Sequence, residues 1–279
     1  MIKTLDITKG ETEGLYGFLS SAVTPRPIAL VSTIDKDGNR NLAPFSFFNV
    51  FSVNPPILIF SPVRSGQFGT NKHTLENVLE IKECVVGLVT EQIAQQVSLS
   101  SCSYDKGVNE FEKAGLTEIK SDLVSPYRIG ESPINFECKI NDIIVLGERG
   151  GAGSLVLSEI LKVHIDENVL DENEDIDPFK LKIVSRHGSD WYGKTTNESL
   201  YKITKPISKL GMGIDNLPEE IRNSKILTGN ELAILASSED VPKKELFPLR
   251  ENKSLKEKHI LAKEFLSQEK TKDAWQILL

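Results

Sequence analysis

The residues best able to ligate a metal or attack a substrate are three cysteines (Cys84, Cys102, Cys138) and four histidines (His73, His164, His187, His259). Their spacing supports neither chemistry. No CxxC or HExxH occurs, so neither a zinc site nor a dithiol redox motif is expected. No Ser/His/Asp order and no pair of carboxylates suited to acid–base work stands out, so no catalytic side chain is assigned. Three widely spaced cysteines suit reduced thiols, and Cys102 is expected to be a buried structural one. His164 is expected to pack along its strand. Gly147-Glu148-Arg149-Gly150-Gly151-Ala152-Gly153-Ser154 looks at first like a phosphate loop. A dinucleotide loop, however, must lead into a helix whose N-terminus holds the pyrophosphate. Here Leu155 to Ile160 reads as a strand, no GxGxxG register fits, and no Walker lysine follows. The run is therefore expected to be a flexible hairpin turn.

The elements that must position any site are read from periodicity. Residues 28–34 (IALVSTI) are β-rich, and Asp37-Gly38 after them is a turn signal. Asn41 to Phe48 follows as a second extended segment, making a hairpin. Asn54-Pro55-Pro56 breaks the chain before a strand at Ile57 to Ser61. Residues 72–80 (KHTLENVLE) place Leu75, Val78 and Leu79 on one helical face. Cys84 to Thr90 reads as a strand, Glu91 to Leu99 as a helix, and Gly107 to Ala114 as a helical turn. Ile134 to Leu146 reads as one long strand interrupted near Asn141-Asp142, and Leu155 to Ile165 alternates as a half-buried strand should. Six or seven strands with short helices between them favour an antiparallel barrel or sandwich over a doubly wound parallel sheet. After about residue 204 prolines punctuate the chain, and Leu255 to Leu279 reads as one amphipathic helix. That tail carries no core signature of its own. The expected domains are therefore 1–204 and an accessory extension, 205–279.

Composition narrows the class. Hydrophobic residues are 39% and charged residues 26%, ordinary for a globular protein that needs no covalent staples. Thirty-three basic against forty acidic side chains leave a formal charge of −7. Such a balance argues against nucleic acid and against anionic membranes as partners. The start of the chain has no apolar signal region, and no stretch approaches the ~20 apolar residues of a membrane span. A cytoplasmic protein is expected.

Several segments then fall into a recognisable order. They are Thr24-Pro25-Arg26-Pro27 with the strand after it, Asn41 to Asn49 (NLAPFSFFN), Phe60-Ser61-Pro62, and Lys72 to Asn77 (KHTLEN). Val108 to Thr117, Pro126 to Glu137 (PYRIGESPINFE), Val163 to Asp166 and Arg186 to Tyr192 (RHGSDWY) complete the series. Over roughly residues 14–200 this resembles the flavin reductase-like family of FMN-binding split barrels, which includes flavoredoxin. The resemblance implies a mainly β protein with short helices, a split β-barrel with a C-terminal helical or irregular extension. It also implies a homodimer with FMN near the interface, and NADH or NADPH as co-substrate.

The same resemblance implies which residues meet the flavin. Ser46, Asn49, Ser61, Thr74 and Asn77 would supply neutral donors. Arg26, Arg64 and Lys72 would supply cations for the phosphate or the flavin carbonyls. Phe47 and Phe48 would border the ring or fill the barrel, and Arg186 and Tyr192 would touch flavin or interface. Local donors can hold a phosphate against the net charge, because charges beyond about 8 Å are screened at physiological salt. Arg26 has its backbone set by the prolines on either side, which argues against a merely solvent-facing role. His73 stands where the family often has Asp, which would alter the charge beside the phosphate or the substrate pocket. The implied reaction moves hydride from nicotinamide C4 to flavin N5, so the cofactors carry the chemistry and the protein positions them. A flavoredoxin-like electron carrier and a non-catalytic flavin-binding module are the alternatives. The tail is expected to be a structural cap over the barrel or dimer seam, with a lid that restricts the substrate pocket as the alternative.

Overall fold

The computed structural model describes residues 1–10, 14–66, 69–203 and 210–279. These form two compact units, 1–201 and 202–279. The first unit runs α1 (Leu15–Ala22), β1 (Ala29–Ile34), β2 (Arg40–Phe45), β3 (Phe48–Val53), β4 (Pro56–Phe60), α2 (His73–Ile81) and β5 (Glu83–Leu88). It continues with α3 (Ala94–Ser100), α4 (Glu110–Ala114), β6 (Glu118–Ile119), β7 (Arg128–Ile129), β8 (Ile134–Val145) and β9 (Ser154–Ile165). Short α5 (Pro178–Leu181), β10 (Val184–Arg186) and β11 (Tyr192–Lys194) end it.

One seven-stranded antiparallel sheet carries the unit, in the order β2-β1-β5-β8-β9-β4-β3. The expected Asp-Gly hairpin is present. Asp35 Oδ1 accepts from the amides of Asp37 and Asn39, both at 2.9 Å, and Gly38 takes the left-handed φ of +83°. The second extended segment is not one strand. It breaks at Ser46-Phe47, where the chain leaves one edge of the sheet as β2 and returns at the other as β3. Long β8 keeps its continuity by shifting register between Ile140 and Asp142, at the polar pair that interrupts its pattern.

Two apolar clusters fill the sheet's two faces. One gathers Leu30, Leu42, Val85, Phe111 and Ile129; the other gathers Val31, Phe60, Val78, Val86 and Val156. Neighbouring β1 residues Leu30 and Val31 go to opposite clusters, as a period of two requires. Helix α2 presents Leu75 and Val78 to the second cluster.

The second unit contains α6 (Glu219–Arg222), α7 (Gly229–Ala236), α8 (Leu255–Ser267) and α9 (Thr271–Leu278). The single long helix expected from Leu255 is two. Glu269 sits at φ +59° between them, and the amides of Gln268 and Lys270 both turn back to the Phe265 carbonyl. Contrary to the sequence reading, this unit has its own core, with Leu217, Leu235, Ala262, Trp275 and Ile277 buried together. Its apolar positions come from four helices and the segments before them, so no single segment displays the pattern. Among the described residues no helix is long and apolar enough to cross a membrane.

Candidate functional site

The site residues expected from sequence fall at three places in the first unit. The first is the Ser46-Phe47 bend. Phe47 lies 6.3 Å from the Tyr16 ring and 5.7 Å from the Arg26 guanidinium, and its carbonyl accepts from Ser61 N at 2.8 Å. Phe48 is half-buried against the second cluster. Ser46 is half-buried beside it, whereas Asn49 is exposed and its side chain accepts from Val50 N.

Arg26 is buried and mostly committed. Its guanidinium donates to the carbonyls of Ser20, Val23 (2.6 Å) and His187 (3.0 Å), while Nε is buried without a partner. Burial, with the like charge of Arg186 nearby, lowers its pKa. The backbones of Arg26 and Arg186 exchange two hydrogen bonds at 2.8 and 3.0 Å. Arg186 in turn lies 4.6 Å over the Tyr192 ring and donates to the Trp191 carbonyl. Arg26, Arg186, Tyr192 and Phe47 are therefore brought together, with Arg26 acting as a clamp between α1 and β10.

The second place is the loop after β4. The β8–β9 glycine turn is bonded to it: Arg64 N donates to Ala152 O at 2.9 Å, Gly151 N to Arg64 O, and Ser154 N to Pro62 O. A side chain at Gly153 would stand 2.6 Å from Ser61 Oγ, and one at Gly150 would stand 2.8 Å from the Gly66 carbonyl. These glycines serve a backbone-to-backbone approach and not a phosphate loop of their own. The sequence reading took them for a flexible turn; the glycine run itself was the available signal. Arg64 donates to Gly69 O at 3.2 Å, but its Nε is buried without a partner, as is Asn71 Oδ1. Buried polar atoms without a partner are unusual in a folded chain, the more so when one belongs to a cation. Asn71 was missed because nothing in its sequence context marks it.

The third place is α2. Lys72 caps it with an exposed side chain, and no side-chain cap bond is made. Thr74 and Asn77 are buried and hydrogen-bonded within the protein. Asn41 donates to Thr74 Oγ1 at 2.8 Å and to Thr33 Oγ1, and Asn77 donates to Thr33 at 3.1 Å. Their i, i+3 spacing puts both on the buried face of α2. His73 lines a small polar cleft with Asp35, Arg40 and Lys106, and its charge bears on the buried Glu110 carboxyl. Burial raises the Glu110 pKa, and a donor bond from Leu42 N opposes it.

Two expectations about single residues need correction. Cys102 is exposed, while Cys84 and Cys138 are buried and face each other across β5 and β8; all three are free. His164 does more than pack, since its Nε2 lies 2.7 Å from Glu137 Oε1. Glu137 is fully buried, yet the amides of Asp122 (2.8 Å) and Leu123 (2.6 Å) also donate to it. Burial alone would raise the Glu137 pKa, but these donors and His164 outweigh it and hold the carboxyl low. Asp122, Glu137 and His164 bring their ligand atoms within 4.8 Å of one another. Lys162 already pairs with Asp122 at 2.5 Å.

The comparisons with known proteins agree with this architecture. The family described as flavin reductase like domain matches residues 20–180. An uncharacterised protein of Aquifex aeolicus is 38% identical over 195 residues, covering 69% of this chain and 97% of that protein. The structure of nitrilotriacetate monooxygenase component B from Bacillus cereus superposes with a TM-score of 0.67 at 27% identity, covering 73% of this chain and 99% of that one. The 2-nitrobenzoate 2-nitroreductase of Pseudomonas fluorescens gives 0.65 at 27% identity, with 76% and 100% covered. With the family match spanning most of the first unit, the chain belongs to the flavin reductase-like family.

Proposed function

We propose that this chain is an FMN-binding oxidoreductase that accepts hydride from NADH or NADPH. The observation that carries the reading is the corner between the β4 loop and the glycine turn. There a buried arginine Nε has no partner, beside two glycines whose Cβ positions are already filled. A phosphate would satisfy Arg64, with Ser61 and the exposed Lys72 as further donors and the first-turn amides of His73 and Thr74 at the start of α2. Ser46, Phe47, Phe48 and Asn49 would border the ring, and Arg186 and Tyr192 would close its far side. Thr74 and Asn77 would support this wall from within. Arg26 would hold α1 and β10 in place around Phe47. We further propose that β2 and β3 approach each other around the Ser46 bend to complete a split barrel, and that two copies form a homodimer.

Bound FMN would supply the hydride acceptor. The protein's part is to fix two rings face to face, and good orientation is worth about 7–11 kcal/mol of barrier. Cations at the pyrimidine edge would favour the reduced, anionic ring electrostatically. The names of the two solved relatives, a monooxygenase component and a nitroreductase, fit a protein that passes on reducing equivalents.

The test is anaerobic addition of NADH or NADPH to the flavin-loaded protein, followed by absorbance. Bleaching is expected with at least one nucleotide. Flavin that stays oxidised with both would end the reductase reading, and reduction only by a partner protein would make the chain an electron carrier. Protein that takes up no FMN would end the flavin reading altogether. Lys72→Ala should weaken FMN more than riboflavin; equal losses would remove Lys72 from the phosphate.

A further inference from the structure

A groove of about 590 Å³ opens in the first unit at the other end of β8 and β9 from the glycine turn. None of the flavin-site residues discussed above lines it. Its size is that of a small-molecule site. Ile129, Pro133, Val169 and Leu181 give it an apolar lining. Arg128, Lys180 and Lys182 contribute three cations, against the carboxylates of Glu131 and Asp166. Both carboxylates are engaged locally, Glu131 by Thr117 N and Oγ1 and Asp166 by Asn168. In a chain of net charge −7 this is a locally cationic recess.

Its walls are braced. Buried Asn135 accepts from Ile129 N and donates to the carbonyls of Ile129 and Ser132, and Ser132 Oγ donates to Leu88 O. Behind His164, ionised Glu137 accepts from the amides of Asp122 and Leu123, and His164 Nε2 lies against it at 2.7 Å as a third donor. In the neutral ring whose Nε2–H bonds Glu137, Nδ1 of this groove residue is the acceptor, and the Glu137 contact fixes the ring's orientation. A wall residue fixed by a buried carboxylate is the arrangement of a preorganised site.

We propose that the groove is a second small-molecule site, separate from the flavin corner. Its ligand is an organic anion with an apolar body and a hydrogen-bond donor. The anionic group meets Lys182, an exposed side chain with no hydrogen bond among the described residues, whose charge is shared with Glu91 at longer range, and the donor meets His164 Nδ1. The inference stands on the groove itself and not on the flavin reading.

The probes are 4-hydroxybenzoate, benzoate and phenol, titrated by calorimetry into the full-length protein with and without added FMN. 4-Hydroxybenzoate should bind about tenfold tighter than either probe lacking one group, with or without FMN. Lys182→Gln should weaken both carboxylates about fivefold or more and leave phenol unchanged. His164→Phe should erase the preference for 4-hydroxybenzoate over benzoate. No binding of 4-hydroxybenzoate up to about 10 mM, displacement of it by FMN, or affinities unaltered by Lys182→Gln would overturn the proposal. Lys182 is exposed, so that variant tests the idea even where His164→Phe fails to fold.

Discussion

Arg26 carries a stability role that its motif does not announce. Its guanidinium satisfies carbonyls of α1, of the loop after it and of the segment after β10. Arg26→Ala would leave these without a donor, at about 1–3 kcal/mol for each buried group lost. A fall of about 3 kcal/mol in a urea melt is expected; a loss below about 1 kcal/mol would show that water replaces the side chain at little cost. Glu137 makes a pH prediction. Its folded pKa lies below the ordinary carboxylate value, so its contribution is present at neutral pH and is lost as pH falls through that lowered pKa. Glu137→Gln should lose about 1–3 kcal/mol at pH 7 and flatten the acid limb of the stability profile. An unchanged limb would mean that another group controls acid unfolding. Sequence could nominate Arg26, since prolines fix its backbone, but not its partners: Ser20 and Val23 are near in sequence yet are reached only once α1 turns back, and His187 is 161 residues away. Thr74 and Asn77 illustrate the converse: their motif was legible, but which side of α2 faces the sheet was a matter of packing.

Most elements were legible because each carries its own period. The Asp37-Gly38 turn, the strands from Ala29 and Ile134, and α2 all announce themselves locally. The Ser46 bend did not, because β2 and β3 form one apolar run whose division is made by their separate partners, β1 and β4. The glycine turn was read correctly as a hairpin, while its closeness to Ser61 and Gly66 arises only when β4 and β9 pair. This closeness makes a prediction at the scale of the element. Gly150→Ala should push the turn from the β4 loop and weaken FMN binding about tenfold or more, because its Cβ would meet backbone that cannot rotate away. FMN affinity unchanged in a fluorescence titration would detach the turn from the flavin corner.

At the scale of the molecule, net charge and local charge pull in opposite directions. A chain at −7 repels a phosphorylated ligand at long range, while Arg64 and Lys72 attract it only at close range. Raising salt from about 0.01 to 0.15 M shortens the screening length from about 30 to 8 Å. FMN association, followed by stopped-flow flavin fluorescence, should therefore speed up with salt. A rate that falls would show that a local cationic field governs the approach.

By itself the sequence determined the class of fold, the order of its strands along the chain, the absence of a nucleophile or metal motif, and a family resemblance that its comparisons bear out. These are properties of local period and of ordered short motifs, and both survive in one dimension. Tertiary structure decided which neighbours the motifs meet. It buried Thr74 and Asn77, exposed Cys102, set His164 against Glu137, and gave the last 70 or so residues a core built from four helices. Burial and hydrogen-bond satisfaction are settled between segments far apart in sequence, so no single segment could display them.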